Sequence, residues 1–126
     1  PDYKRVIPKA LDRIATVDRK AMRQSLIKNS ILTNEKNRAV KLNFKPGLIQ
    51  MRSSNVDNEE AYDELEIDYD NNEFETAFNV TYLLDIFGAM ASEKVQIEFS
   101  DIRGNSIAIK NPEDPNVIYV VMPINF

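Results

Sequence analysis

The sequence predicts an α+β domain with two helices packed on antiparallel sheets. Two stretches carry apolar residues at helical spacing behind a capping side chain, and several shorter runs alternate apolar and polar residues with period two. The connections between those runs are of hairpin length, which suits antiparallel pairing. At 126 residues, 43% of them hydrophobic, the chain reads as one domain able to bury a core without covalent staples.

The elements follow in order. PDYKRVIP (1–8), bounded by prolines, reads as an extended lead-in. Asp18 is placed to cap a helix over residues 19–32. At about 100° per residue, Ala21, Met22, Ser25, Leu26, Asn29 and Leu32 share an arc that can face a sheet. Arg19, Lys20, Arg23, Gln24 and Lys28 take the opposite arc, which suits either a solvated face or a surface that tracks phosphates. Ile27 and Ile31, one turn apart, fall on that polar side and suggest a subunit contact. RAVKLNF (38–44) alternates with Val40, Leu42 and Phe44 on one face, and KPG (45–47) turns the chain into LIQMRSS (48–54). In AYDELEIDY (61–69), Leu65, Ile67 and Tyr69 oppose Tyr62, Glu64, Glu66 and Asp68. DNN (70–72) leads into FETAF (74–78), and Asn79 is a candidate cap for a second helix over about 80–91. KVQIEFS (94–100) and SIAIK (106–110) read as a hairpin around Gly104, and NPEDPN (111–116) reads as the loop before a last strand, VIYVVMP (117–123). There Val117, Tyr119 and Val121 can face the core while Ile118, Val120, Met122 and Ile124 line the other side. A strand apolar on both sides is either covered by two layers or presents one row for binding.

Composition removes several chemistries. With no Cys and no His there is no thiolate nucleophile, no disulfide and no imidazole base or ligand, so neither a cofactor nor a metal is expected. The acidic run DNEEAYDELEIDYD (57–70) could offer oxygen ligands, but alternate strand residues splay to opposite faces and no glycine-centred loop is present. NVT (79–81) matches a glycosylation acceptor, though Asn79 serves better as a cap. No apolar run is long enough to cross a bilayer and PDYKRVIPKA lacks a signal-peptide core, so a cytoplasmic protein without membrane contact is the expectation. The chain lacks an initiating Met, which suggests a piece of a longer protein. Charge is segregated: residues 1–45 hold 12 Lys/Arg against 4 Asp/Glu, and residues 46–126 hold 4 against 16. Such asymmetry implies two electrostatic surfaces with different partners.

PDYKRVIP at the start, ILTNEKNRAVKL (31–42), AFNVTYLLD (77–85) and YVVMP (119–123) resemble, in order and spacing, the third domain of the bacterial DNA polymerase III beta subunit, the sliding-clamp family. The resemblance runs over the whole chain and implies a DNA-clamp fold domain whose two preceding domains are missing here. It implies a non-enzymatic processivity factor. Such clamps are head-to-tail homodimeric rings around duplex DNA, held without sequence preference. They are opened by a clamp loader, and they bind replicative and other polymerases and repair proteins through short Gln/Leu/Phe-containing peptides.

Carried over by position, the resemblance puts the peptide pocket at Pro1, Arg5, Val6, Asn79, Tyr82, Ser106, Val120, Val121, Met122, Pro123 and Ile124. It puts the dimer interface at Ile31, Leu32, Glu59, Glu60 and Asp63, and the DNA-facing cations at Arg19, Lys20, Arg23 and Lys28. Asn125 and Phe126 depart from the Arg-Leu ending of the best-known clamp, and Tyr62 stands where that clamp has a carboxylate. The residues alone also admit a stand-alone peptide-binding module with no DNA role, and a small carboxylate- or metal-dependent hydrolase, which the lack of His and Cys disfavours.

Overall fold

The structure, a computed structural model, describes residues 12–33, 38–55, 57, 59–100 and 106–124. Among the described residues, eight strands and two helices run in the order β1 (Arg13–Asp18), α1 (Arg19–Leu32), β2 (Ala39–Lys45), β3 (Leu48–Ser54), β4 (Glu60–Glu66), β5 (Phe74–Asn79), α2 (Val80–Ala89), β6 (Lys94–Phe99), β7 (Ile107–Asn111) and β8 (Asp114–Val121). They form two four-stranded antiparallel sheets, β1-β6-β7-β8 and β4-β3-β2-β5.

The period-two pattern decides what each sheet buries. Val40, Leu42 and Phe44 on β2 and Ile49 and Met51 on β3 point inward, opposite Val95, Ile97 and Phe99 on β6 and Ile107 and Ile109 on β7. Aromatic side chains close the core between the sheets: Phe44 lies 4.6 Å from Phe99 and 6.0 Å, edge-on, from Tyr69. The sheets are also stitched at two corners. Thr16 and Asp68 exchange backbone hydrogen bonds of 2.9 and 3.0 Å, and Ile124 donates its N–H to the Ala77 carbonyl at 2.8 Å.

Each helix starts where its cap predicts. Asp18 accepts from the Ala21 N–H at 2.9 Å, and Asn79 accepts from the Thr81 N–H at 2.9 Å, so each side chain satisfies an otherwise orphaned donor. Helix α1 buries Met22, Ser25, Leu26 and Asn29, while Ala21 and Leu32 are half-buried at the edges of that arc. Two arginines show that the helices run antiparallel. Arg19 at the start of α1 donates to the Phe87 carbonyl in the last turns of α2 and to the Ser92 carbonyl beyond it, at 3.3 and 2.6 Å. Arg38, beyond the other end of α1, donates to Thr81 Oγ1 in the first turn of α2 at 2.9 Å and to Thr33 Oγ1 at 2.6 Å.

Several sequence expectations shift. The strand at residues 13–18 is additional: its inward residues, Ala15 and Val17, are small, and the larger Ile14 points outward, which blurs the alternation. Helix α2 ends at Ala89, two residues early, where Met90 turns to extended geometry to enter the core. The expected loop 111–116 shrinks to a turn at 112–113, so the last strand begins at Asp114 and ends at Val121 rather than at Pro123. The turn around Gly104 lies outside the described residues, although β6 and β7 pair as a hairpin would. Gly47 takes φ +76 in the β2–β3 turn, a left-handed conformation that glycine adopts without strain.

Candidate functional site

Three surfaces gather the residues singled out from the sequence. The first is an apolar patch where β8 ends. Val121 faces inward and is buried, while Val120, paired with Ala108, lies on the opposite face. Pro123 has no N–H to extend the ladder, and the chain crosses to the end of β5, where Ile124 meets Ala77. That crossing lays residues 122–124 beside the start of α2. Met122 is 67% exposed and Tyr82 61% exposed, and Ile124 is exposed with them. Ser106, itself buried, lies with its hydroxyl 2.6 Å from Met122 Sδ. Large exposed apolar side chains, with a flexible thioether among them, suit an apolar peptide. Asn79 stands at this border with its side-chain oxygen used by the helix cap, and Val121 supports the patch from within rather than lining it. Pro1, Arg5 and Val6, and the ending Asn125 and Phe126, lie outside the described residues.

The second surface is the far end of α1 with the edge strand β4. Ile31 is 76% exposed, a large apolar residue little covered by the other described residues, and Leu32 beside it is half-buried. Glu59 and Glu60 are exposed at the start of β4, where Glu59 caps a turn through the Asn55 amide. Asp63 is different. Its Oδ2 accepts from Ser25 Oγ at 2.6 Å and lies 3.5 Å from Lys28 Nζ, which ties α1 to β4. The Ser25 hydroxyl holds this carboxyl below its usual pKa, helped by the Glu64 N–H and Lys28 against partial desolvation. Outward on the same strand, Tyr62 donates to Glu64 at 2.7 Å, and this bond to a carboxylate raises the phenol's pKa above its ordinary value, while Arg52 over the ring acts in the opposite direction. Among the described residues, no three carboxylates converge as a cation would need.

The third surface is cationic. Arg19, Lys20, Arg23, Gln24 and Gly88 line an open groove of about 340 Å³ between the helices. The four cations on α1 are not equivalent there. Two donors of Arg19 are engaged by backbone carbonyls, and Lys28 is partly neutralised by Asp63, whereas Lys20 and Arg23 are exposed. Arg23 passes over Gly88, its Nε 3.8 Å from where a side chain there would begin.

The sequence reading had no sign of Arg38. It sits at the start of a strand-like run, and its bridge between the helices depends on a long-range approach that periodicity does not encode.

The family described as DNA polymerase III beta subunit, C-terminal domain, matches residues 4–125. The beta sliding clamp of Pseudomonas putida is 38% identical over 124 residues, covering 98% of this chain and 34% of the relative. The chain thus spans about a third of the length of the curated relatives it matches. The crystal structure of the Pseudomonas aeruginosa DNA polymerase sliding clamp superposes with a TM-score of 0.94 at 35% identity, over 100% of this chain and 34% of that one. A second structure of the Pseudomonas aeruginosa clamp, bound to griselimycin, matches with a TM-score of 0.93 at 35% identity and the same coverage.

Proposed function

Because this chain belongs to the DNA polymerase III beta subunit family, as its C-terminal domain, we propose that it works as the third domain of a DNA sliding clamp, an interaction module that catalyses no reaction. The observation that carries this reading is the exposure of Tyr82, Met122 and Ile124 together with the Ile124–Ala77 hydrogen bond, which brings the segment after β8 to the end of β5, just before α2; this supports a docking surface for short apolar peptides carried by polymerases and other partners. The griselimycin complex of the Pseudomonas aeruginosa clamp supports ligand binding by this family. The pocket comprises Asn79, Tyr82, Ser106, Val120, Met122, Pro123 and Ile124, with Val121 behind them.

The other two surfaces take the remaining roles. Ile31, Leu32, Glu59 and Glu60 form the contact with a second subunit, a small apolar centre beside a negative rim. Lys20 and Arg23, with smaller shares from Arg19 and Lys28, face the duplex. Few, exposed cations give a weak, sequence-blind attraction to phosphates, as sliding requires. Two preceding domains complete each subunit, and a cytoplasmic location follows from the replication role.

The test is titration of a fluorescent Gln-Leu-Ser-Leu-Phe peptide into the 126-residue chain, followed by chemical-shift mapping. Saturable binding with shifts at Tyr82, Val120, Met122 and Ile124 is expected. Saturable binding whose shifts fall elsewhere would reject the pocket, and absence of binding here and in a full-length clamp carrying this domain would reject peptide docking altogether.

A further inference from the structure

The chain has four methionines, and the fold treats one of them differently. Met22 and Met51 are fully buried and Met90 is 5% exposed, each packed among core side chains. The Met122 side chain is instead largely exposed, just beyond the end of β8. A thioether is oxidised only when an oxidant reaches the sulfur, and a close-packed interior denies that approach. One sulfur is therefore accessible where three are shielded.

The neighbourhood of Met122 adds a second observation. The Ser106 hydroxyl lies 2.6 Å from Sδ, so a polar group already sits against a weak acceptor. A sulfoxide oxygen is a far stronger acceptor, and a donor for it is in place.

We propose that Met122 is a redox-sensitive modification site, at which a hydroperoxide converts the thioether to the sulfoxide and thereby releases apolar peptides from the patch. The sulfur lone pair attacks one peroxide oxygen, the O–O bond breaks, an S–O bond forms, and the second oxygen leaves after proton transfer as water from hydrogen peroxide or as the alcohol from an organic hydroperoxide. Sulfur loses two electrons and the peroxide gains them. The product replaces a flexible apolar wall with a polar group that Ser106 draws toward itself, and a docked leucine or phenylalanine would have to desolvate that group. The release step rests on the peptide-docking reading above; the site assignment does not.

The experiment is a time course of the chain in hydrogen peroxide, with oxidised positions located by peptide mass mapping and affinity for the Gln-Leu-Ser-Leu-Phe probe measured on the singly oxidised protein. Met122 should gain one oxygen at least about tenfold faster than Met22, Met51 or Met90, and the Kd should rise about tenfold or more. Met122→Leu, whatever its own starting Kd, should keep that value through the same treatment. Methionine sulfoxide reductase should restore binding to the oxidised wild type. Oxidation of the buried methionines at a similar rate would overturn the site, and unchanged affinity of the singly oxidised protein, or an equal loss in Met122→Leu, would overturn the release. If neither the untreated chain nor a full-length clamp carrying this domain binds the probe, the docking reading fails and the release step falls with it, while the mass data still decide the site.

Discussion

Replacing Asp63 with Ala should destabilise the isolated domain, although the residue lies on an edge strand beside a surface assigned to subunit contact. The Lys28 partner is largely exposed, so that ion pair is worth less than about 1 kcal/mol. The larger loss is at Ser25, which is buried and would keep its hydroxyl without the acceptor 2.6 Å away. A buried donor deprived of its partner costs about 1–3 kcal/mol, and an alternative bond to a carbonyl of its own helix limits that to roughly 1.5–2 kcal/mol. With an unfolding entropy of about 2.1 cal/mol/K per residue, the Tm should fall by about 6–8 °C. Calorimetry of the wild type, Asp63→Ala, Ser25→Ala and the double variant measures this, and the double variant should lose less than the two single losses together. The pH dependence supplies a sign check. The Ser25 hydrogen bond depresses the folded-state pKa of Asp63, so its contribution is complete above the unfolded value and is lost as pH falls through the folded one. The Tm gap between wild type and Asp63→Ala should stay constant from pH 7 to about 5 and close below about 4. Equal Tm values at pH 7 would refute the intrachain role and leave Asp63 to act only across an interface.

Ile31→Ala with Leu32→Ala, in a chain of the relatives' full length, should shift sedimentation toward monomer; a persistent dimer would remove these residues from the contact. Lys20→Ala with Arg23→Ala should reduce the salt slope of duplex binding by about 2, and Lys28→Ala should change it by less than about 1, because Asp63 already offsets that charge. Equal effects from all three cations would contradict the ranking. Ile124→Pro should lower stability by about 1 kcal/mol through loss of the N–H that reaches Ala77, whereas Ile124→Ala should keep the Tm within about 2 °C and weaken peptide binding several-fold. Similar Tm losses in both variants would mean that the side chain, not the stitch, holds the corner.

Much of the architecture was legible because local signals coincide with tertiary need. Asp18 and Asn79 mark both helix starts, and the alternation of Val40, Leu42 and Phe44 fixes the inward face of β2. The division of the last strand was legible too, since parity alone separates Val121 from Val120 and Met122. What escaped were features set by distant partners. The strand β1 exists because β6 pairs with it along its whole length, while its own sequence, RIATVD, carries no strong alternation. Helix periodicity placed Arg19 among exposed cations, yet the end of α2 supplies carbonyls that take two of its donors. Asp63 could be read from sequence as a free carboxylate because Ser25, its partner, lies on another element.

Four of the large apolar side chains exposed among the described residues share a property that explains why they remain available, whereas Ile14 and Tyr62 are exposed within strands. Ile31 ends α1, Tyr82 lies in the first turn of α2, and Met122 and Ile124 follow β8. At an element's end the chain leaves its layer, so neighbours within the same fold no longer cover the side chain. Arg38 bridges the two helix ends concerned, holding Thr81 next to Tyr82 and Thr33 just beyond Ile31 and Leu32. Arg38 is therefore one link between the patch proposed for peptide docking and the patch proposed for subunit contact, alongside the Arg19 bonds at the other end of the helix pair. The crossing that closes the sheets at Ala77 likewise positions Met122 and Ile124. Closure of the fold and exposure of Met122 and Ile124 are thus one structural event, and exposed apolar side chains of this kind mark a surface suited to a partner.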